Sequence, residues 1–270
     1  MVSEITHTTS RRASNSNHLF ALTRSAKKKE GDMKLFRWIF GASVLISFLG
    51  AAAPLRAQVC TPPPSDIVSW WPGEGNATDI IDTNPGALSG DAAFGQGFIG
   101  QAFGFSCGGG RVTVPDAQNL NFGSTSPMSV ETWVFRTGSA GTQHILGKRV
   151  GCSSGDIHYQ LAFDSVNGLA FNGSGGGALT GAQLPLFTWT HLAGTFDGTT
   201  FRLYINGTLA GTGTGTLGPA NTAALVIGGA GGCEPFIGLI DEVSLYNRDL
   251  SASEIQAIFD AASAGKCPPG

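Results

Sequence analysis

"TWTHLAGTFDGTTFRLYINGTL" runs from residue 188 to residue 209. Two dipeptides, Asp197-Gly198 and Asn206-Gly207, punctuate runs rich in Thr, aromatic and branched residues. Asp-Gly and Asn-Gly accept the positive φ that two-residue hairpin turns demand. The spacing therefore predicts a three-stranded antiparallel meander over 188–211. Nothing in it has the 3.6-residue period of a helix.

The same signature recurs on either side. Strand-length runs are "SVETWVFR" (129–136), "QHILGKR" (143–149), "IHYQLAFD" (157–164) and "AALVIGG" (223–229), each bounded by turn residues. Many short strands in a chain with 40 glycines point to an all-β sandwich or barrel. The glycine-rich runs 173–177 and 228–232 read as loops. Neither leads into a helix, so neither is a phosphate cradle. From Cys60 to Cys267 there is room for one sizeable core, with no repeat of fixed period and no second domain.

One helix is written out near the C-terminus. Ser251-x-x-Glu254 is a capping box, and Leu250 with Ile255 forms a hydrophobic staple around it. Ile255, Ile258, Phe259 and Ala262 then share a face, so the helix packs on a sheet. Just before it, "IGLIDEVSLY" holds two adjacent acids in an apolar strand. Strict alternation sends Asp241 to one face with Ile237, Leu239, Val243 and Leu245, and Glu242 to the other. On that reading the two carboxylates diverge.

The N-terminal part has a different character. Residues 1–32 are polar, basic and aperiodic, an extension that reads as disorder or as sequence upstream of a start at Met33. Residues 33–57 have the layout of a secretory signal peptide: Lys34 and Arg37, an apolar stretch from Trp38 to Ala53, and Ala57 at the cleavage point. The folded domain is then 58–270. Nine of the 16 Lys and Arg, but three of the 19 Asp and Glu, precede residue 58, leaving 7 against 16 and a net charge of −9. Such a surface argues against nucleic acid and anionic membrane as partners.

All five cysteines lie in the exported part, where disulfides are expected. Five choices of the odd cysteine and three pairings of the rest leave 15 connectivities. Cys60 and Cys267 sit in similar proline-rich ends and are paired here. Cys152 and Cys233, each in a glycine-rich loop, make the second pair, and Cys107 is left over. No spacing suits zinc.

The segments "WWPGEGNATD" (70–79), "GQAFGF" (100–105), "VTVPDAQNLNF" (112–122), "MSVETWV" (128–134), the meander, and "FIGLIDEVSLYNRDLSASEIQAIF" (236–259) follow one another in a familiar order. Together they resemble laminin-G-like domains of the concanavalin A-like lectin and glucanase superfamily. The resemblance implies a jelly-roll sandwich of two antiparallel sheets, secretion, and binding of an extracellular glycan or protein. It also implies a structural calcium, to which Asp241 would contribute with Glu74 and Asp79. The competing reading of Asp241 is a carboxylate satisfied by backbone N–H groups. Where relatives have an acidic loop, this chain has "FSCGGGRV" (105–112), so no ligand or metal contact transfers from that loop.

Glycosidases of this fold carry alternating acids on one strand, and retaining hydrolysis needs two carboxyls about 5 Å apart. No glutamate here has that spacing. Glu131, sharing a face with Trp133 and Phe135, is the single catalytic candidate, weighed against a glutamate bonded inside the sandwich. His191 reads as a core histidine. Trp70 and Trp71 point to opposite faces, one into the core, the other toward a sugar or under the helix. Lys148, Arg149, His158 and Tyr159 flank the 150–156 loop and are the candidate ligand edge, weighed against a solvated rim. The leading function is a non-catalytic binding module. The alternatives are a divergent glycosidase of the same fold and a structural or adhesive surface domain.

Overall fold

The computed structural model describes residues 59–138, 141–164, 168–229 and 234–270. The expectations for the upstream extension and the signal segment lie outside the described residues. Strands are numbered in chain order. An eight-stranded antiparallel sheet runs β13 (Thr208–Thr214), β12 (Thr200–Ile205), β11 (Trp189–Phe196), β6 (Met128–Arg136), β15 (Gly238–Tyr246), β4 (Gln101–Phe105), β3 (Ala93–Gln96), with β1 (Ile67–Trp71) also paired to β15. A seven-stranded antiparallel sheet runs β10 (Gly176–Thr180), β9 (Gly168–Gly173), β8 (Ile157–Asp164), β7 (Thr142–Arg149), β14 (Leu225–Ile227), β5 (Arg111–Val114), β2 (Ala87–Ser89). The two pack as a jelly-roll sandwich.

The meander forms as its turns dictate. Asn206 and Gly207 both take positive φ, 50° and 77°, the twist that matches flanking strands. Asp197 Oδ1 accepts from the N–H groups of Thr199 and Thr200, closing the other turn. Two runs differ from the sequence reading. The 223–229 strand shortens to β14, because Gly228 turns out of the sheet at φ +83° and a Cβ there would meet the Phe105 ring. The 173–177 run is the tip and flanks of the β9–β10 hairpin. Its glycines let two sheet edges close: a Cβ on Gly213 of β13 would lie 1.9 Å from the Gly177 carbonyl.

Between the sheets, Trp71, Phe103, Tyr159, Phe171, Phe196 and Phe201 are fully buried. Each buried ring contributes roughly 2–3 kcal/mol. Phe171 and Phe201 meet edge to face at 5.6 Å, and Gly194 leaves room for Phe171, whose ring a Cβ would strike.

A second apolar cluster lies outside the sandwich. Tyr204 and Tyr246 on the outer face of the eight-stranded sheet pack against Leu250, Ile255 and Ile258 of helix α1 (Ala252–Asp260) and its approach. The cap is reciprocal: Ser251 Oγ accepts from Glu254 N, and Glu254 Oε2 accepts from Ser251 N. Beyond the helix the tail returns to the N-terminal end of the domain. Cys60 and Cys267 are disulfide-bonded with Cα atoms 4.9 Å apart, and Thr61 exchanges backbone hydrogen bonds with Gly265 and Cys267. Cys152 is also disulfide-bonded; its expected partner, Cys233, lies outside the described residues. Cys107 is free and exposed. Among the described residues no helix is long and apolar enough to cross a membrane.

Candidate functional site

The adjacent acids of β15 do not diverge. Glu242 sits at φ 59°, and the pairing of β15 with β6 slips between Asp241 and Ser244. This bulge inserts a residue into the alternation. Ile240, Val243 and Leu245 all enter the core, so Asp241 and Glu242 both lie on the outer side, under the helix and the tail. The expectation that they occupy opposite faces is corrected by that one left-handed residue.

Glu242 joins a buried ionic cluster. Lys266 Nζ donates to Glu131 Oε1 at 2.6 Å and lies 3.5 Å from Glu242 Oε2. Trp70 Nε1 donates to Glu242 Oε2 at 2.8 Å, and Tyr246 Oη donates to Glu131 Oε1. His191 Nε2 lies 3.4 Å from Glu131 Oε2. Burial alone would raise the Glu131 pKa, but Lys266 and then His191 outweigh it and hold it at about 2. Burial raises Glu242. Trp70 therefore covers this cluster and is not open to a sugar, while Trp71 fills the core. Sequence reasoning missed Lys266. A lysine in a Gly- and Pro-rich tail has no periodicity; its adjacency to the clasping Cys267 was the available signal.

Asp241 is fully buried, and its Oδ2 accepts from Ile99 N at 3.0 Å. Its Oδ1 has no partner. Burial pushes its pKa up to about 8. Glu74 accepts from Gln101 N with both oxygens, gripping the same 97–101 turn. Asp79 Oδ1 accepts from Trp70 N and Ile81 N, and its Oδ2 is buried without a partner. Each of the three acids thus holds a backbone N–H. Among the described residues no three His, Cys, Asp or Glu side chains converge as a metal site.

The outer face of the seven-stranded sheet is built differently. Cross-strand registers set two rows over β7, β8, β9 and β10: Gly147–Gln160–Asn172–Gly177 and His144–Ala162–Ala170–Leu179. Small side chains keep this floor low. No α-helix among the described residues covers it, since α1 lies on the other sheet. A depression of about 360 Å³ opens here, bordered by Ser154, Asn172, Ser174, Gly177 and Leu179.

A chain of hydrogen bonds fixes how the floor presents its groups. Arg149 donates from Nη1 to His144 Nε2 and Gln160 Oε1, and from Nε and Nη2 to the carbonyls of Gly151 and Ser153. A guanidinium only donates, so Gln160 turns its Nε2 to Asn172 Oδ1. Asn172 Nδ2 bonds the Gly173 carbonyl and keeps a second hydrogen for the depression. The same logic puts the proton of His144 on Nδ1, 3.1 Å from Glu234 Oε2. Burial and then Arg149 lower its pKa to about 4, so the ring is neutral at pH 7.

The four residues expected at a ligand edge are neither an open contact nor a solvated rim. Lys148 turns inward and donates to Asp116 Oδ1, Asn221 O and Ala223 O at 2.5–2.9 Å. Tyr159 lies in the core with its hydroxyl on Leu120 O. His158 is buried and donates from Nδ1 to Gly218 O. Arg149 alone reaches the outward side, and it acts through Gln160. The pleat separates neighbours on a strand, so proximity in sequence misjudged which of them could share a surface.

Comparison with known proteins adds three findings. A family model, Laminin_G_3, described as the concanavalin A-like lectin/glucanases superfamily, matches residues 107–256. No curated protein matches the sequence. Among solved structures, domain 4 of AbnA, a GH43 extracellular arabinanase from Geobacillus stearothermophilus in complex with arabinotriose, aligns with TM-score 0.59 and 22% identity over 73% of this chain and 98% of that one. A Trypanosoma rangeli sialidase aligns with TM-score 0.54 and 19% identity over 74% of this chain and 35% of the sialidase. The binding domain of Paraclostridial Mosquitocidal Protein 1 aligns with TM-score 0.52 and 16% identity, covering 73% and 52%. At these identities the structural likeness is one of fold.

Proposed function

We propose that this chain, which belongs to the concanavalin A-like lectin/glucanase superfamily, is a secreted, non-catalytic module that binds an extracellular glycan on the outer face of its seven-stranded sheet. The observation that carries this reading is the low Gly/Ala floor with a preset row of carboxamides, which no α-helix among the described residues covers. Neutral amide and hydroxyl groups at a recessed surface suit a hydroxyl-rich ligand, since each offers donor and acceptor without a charge to desolvate. The arabinotriose complex of the arabinanase domain is in keeping with it. The Cys60–Cys267 bridge accords with an oxidising compartment.

The non-catalytic part rests on Glu131. A carboxylate that is fully buried and ion-paired to Lys266 touches no substrate and is held ionised well below the range of a general acid. A glycan array on the full chain tests the reading. Binding without hydrolysis supports it, with Asn172→Ala weakening the best glycan about tenfold. Turnover abolished by Glu131→Gln would replace it with the glycosidase alternative.

Calcium remains part of the proposal through a single observation: Asp241 Oδ1 is a buried oxygen without a partner. A bound calcium would supply the missing positive charge there, with Asp241 as the anchoring ligand and Glu74 beside the same turn. Millimolar calcium should then raise the melting temperature of the wild type and leave Asp241→Asn unchanged. An equal response in both proteins removes calcium from Asp241.

A further inference from the structure

On the outer face of the eight-stranded sheet, helix α1 reaches Trp133 of β6. That indole lies 5.8 Å from Phe259 and is stacked at 3.9 Å on Phe98. The next outward residue of β6, Phe135, belongs to a row of directly opposed residues that crosses five strands. In order they are Trp189 of β11, Phe135 of β6, Leu239 of β15, Gly104 of β4 and Ala93 of β3. Alternation puts the row on the outer side, because the neighbours Val134, Ile240 and Phe103 fill the core. All five residues are half-buried or exposed, so the row is open to solvent along its length. Four inter-strand steps make it about 19 Å long.

One end of the row is aromatic. Trp189 lies 5.4 Å from the Phe135 ring, and Phe187, two residues earlier, meets the same ring edge to face at 6.4 Å. Phe187 is 66% exposed and sits at φ 55°. A bulky side chain at positive φ is strained, and a phenyl ring in water contributes no burial. Two local costs thus meet at one residue, where an asparagine would incur neither. Such strain gathers at ligand-contacting positions. With this backbone, Phe187 N donates to Arg136 O at 2.8 Å and the ring stands beside Phe135.

The other end is a recess of about 380 Å³ over Leu239, Gly104 and Ala93, bordered by Ser106, Thr137 and Asp91. Gly104 keeps its floor low. Ser106 Oγ donates to Asp91 Oδ2, so the serine oxygen keeps acceptor capacity for a hydroxyl from outside. Thr137 adds an exposed hydroxyl. Asp91 is the only charged side chain among the lining residues.

Open rings in a line, ending at a recess rimmed by hydroxyls, suit a ligand with apolar faces and polar edges. An oligosaccharide has both: its C–H groups meet the negative faces of the rings, and its hydroxyls bond the rim. A single sugar would leave most of an approximately 19 Å row empty. Asp91 repels a uronate at the recess, and a second copy of this acidic domain would bring like charge against like. We propose that the row from Phe187 to Ala93 binds a linear, uncharged oligosaccharide. The chain lies across Phe187, Phe135 and Trp189, and its end residue enters the recess with a hydroxyl donating to Ser106 Oγ. This site is on the opposite sheet from the 360 Å³ depression and does not depend on it.

The test is a titration of the ¹⁵N-labelled full chain with linear tetraoses of glucose, xylose, mannose and arabinose. Tetragalacturonate and tetra-alanine amide serve as counter-probes. The indole N–H signal of Trp189, assigned by its loss in Trp189→Phe, should move with at least one tetraose and with neither counter-probe. The matching monosaccharide should bind about tenfold more weakly or worse. Phe187→Asn should weaken the tetraose about tenfold and keep its melting temperature, because asparagine tolerates positive φ. Ala93→Trp obstructs the recess from an exposed position and should weaken binding as much, without touching the Phe187 backbone. Asn172→Ala, on the other sheet, should leave the Trp189 shift intact, which separates this site from the first. No shift with any tetraose at about 10 mM, a counter-probe binding equally well, or full binding by Phe187→Asn or Ala93→Trp would each overturn the proposal. So would a dimer of this chain that Phe187→Asn dissociates.

Discussion

The two outer faces of the sandwich both carry buried polar clusters, yet only one is sealed. On the eight-stranded sheet, Glu131 and Glu242 face a lysine delivered by the tail, and Trp70, Tyr246 and helix α1 close over them. On the seven-stranded sheet, Arg149, Gln160 and Asn172 form a satisfied row that ends at an open depression. The difference is in where the last group of each network stands. Charge buried by a cover must be matched completely, because an unmatched ion out of water is costly. A neutral row can stop at a free amide hydrogen, because solvent or ligand completes it.

The contrast is broken most directly at Lys266. Lys266→Met leaves two acids under the helix with no cation, and should destabilise by about 3–5 kcal/mol in urea unfolding. Adding Glu131→Gln and Glu242→Gln should recover much of that loss. A single variant within about 0.5 kcal/mol of wild type would mean that the covered face needs no internal cation.

Acid and base should separate two carboxylates of the same covered face. Glu131 is held at about 2, below its usual 4.5. Its ionic contribution is therefore present above pH 4.5 and lost as pH falls toward 2. Asp241 is pushed from 3.8 to about 8. Its folded form retains a proton that the unfolded chain has released, so stability falls as pH rises from about 4 to 8. In EDTA, Asp241→Asn should flatten the neutral limb of the stability–pH curve, and Glu131→Gln the acid limb. Unchanged limbs would mean that neither group titrates as its surroundings demand.

The smallest stability effect belongs to the open face. Asn172→Ala removes two bonds, to Gln160 and to the Gly173 carbonyl, from a row that water can complete, and should cost about 1 kcal/mol. Its melting curve should stay within a few degrees of wild type while glycan binding drops. A loss as large as that of Lys266→Met would show that the open row is structural after all.

Much of the architecture was legible in the residues. Asp197-Gly198 and Asn206-Gly207 announced the meander, and Ser251 with Glu254 announced the helix, because turns and caps are local contacts between residues two to four apart. The pairing of Cys60 with Cys267 also matched its proline-rich surroundings. The candidate site was less legible. The sequence names Arg149, which the structure sets behind Gln160, groups Lys148, His158 and Tyr159 with it on proximity alone, and gives no sign of Gln160 and Asn172. Those two amides are ordinary strand residues until the register of β7, β8 and β9 sets them side by side.

By itself the sequence determined the strands, the turns and the capped helix, since these follow from backbone preferences and side-chain alternation. Only the tertiary structure decided which charges meet. Lys266 and Glu131 are 135 residues apart, and no local pattern links them. The bulge at Glu242 was equally hidden, because a non-glycine residue enters the left-handed region there. That conformation persists only where surrounding packing outweighs its local strain. Covalent and short-range preferences are written residue by residue, whereas the partner of a buried charge depends on the path of the whole chain.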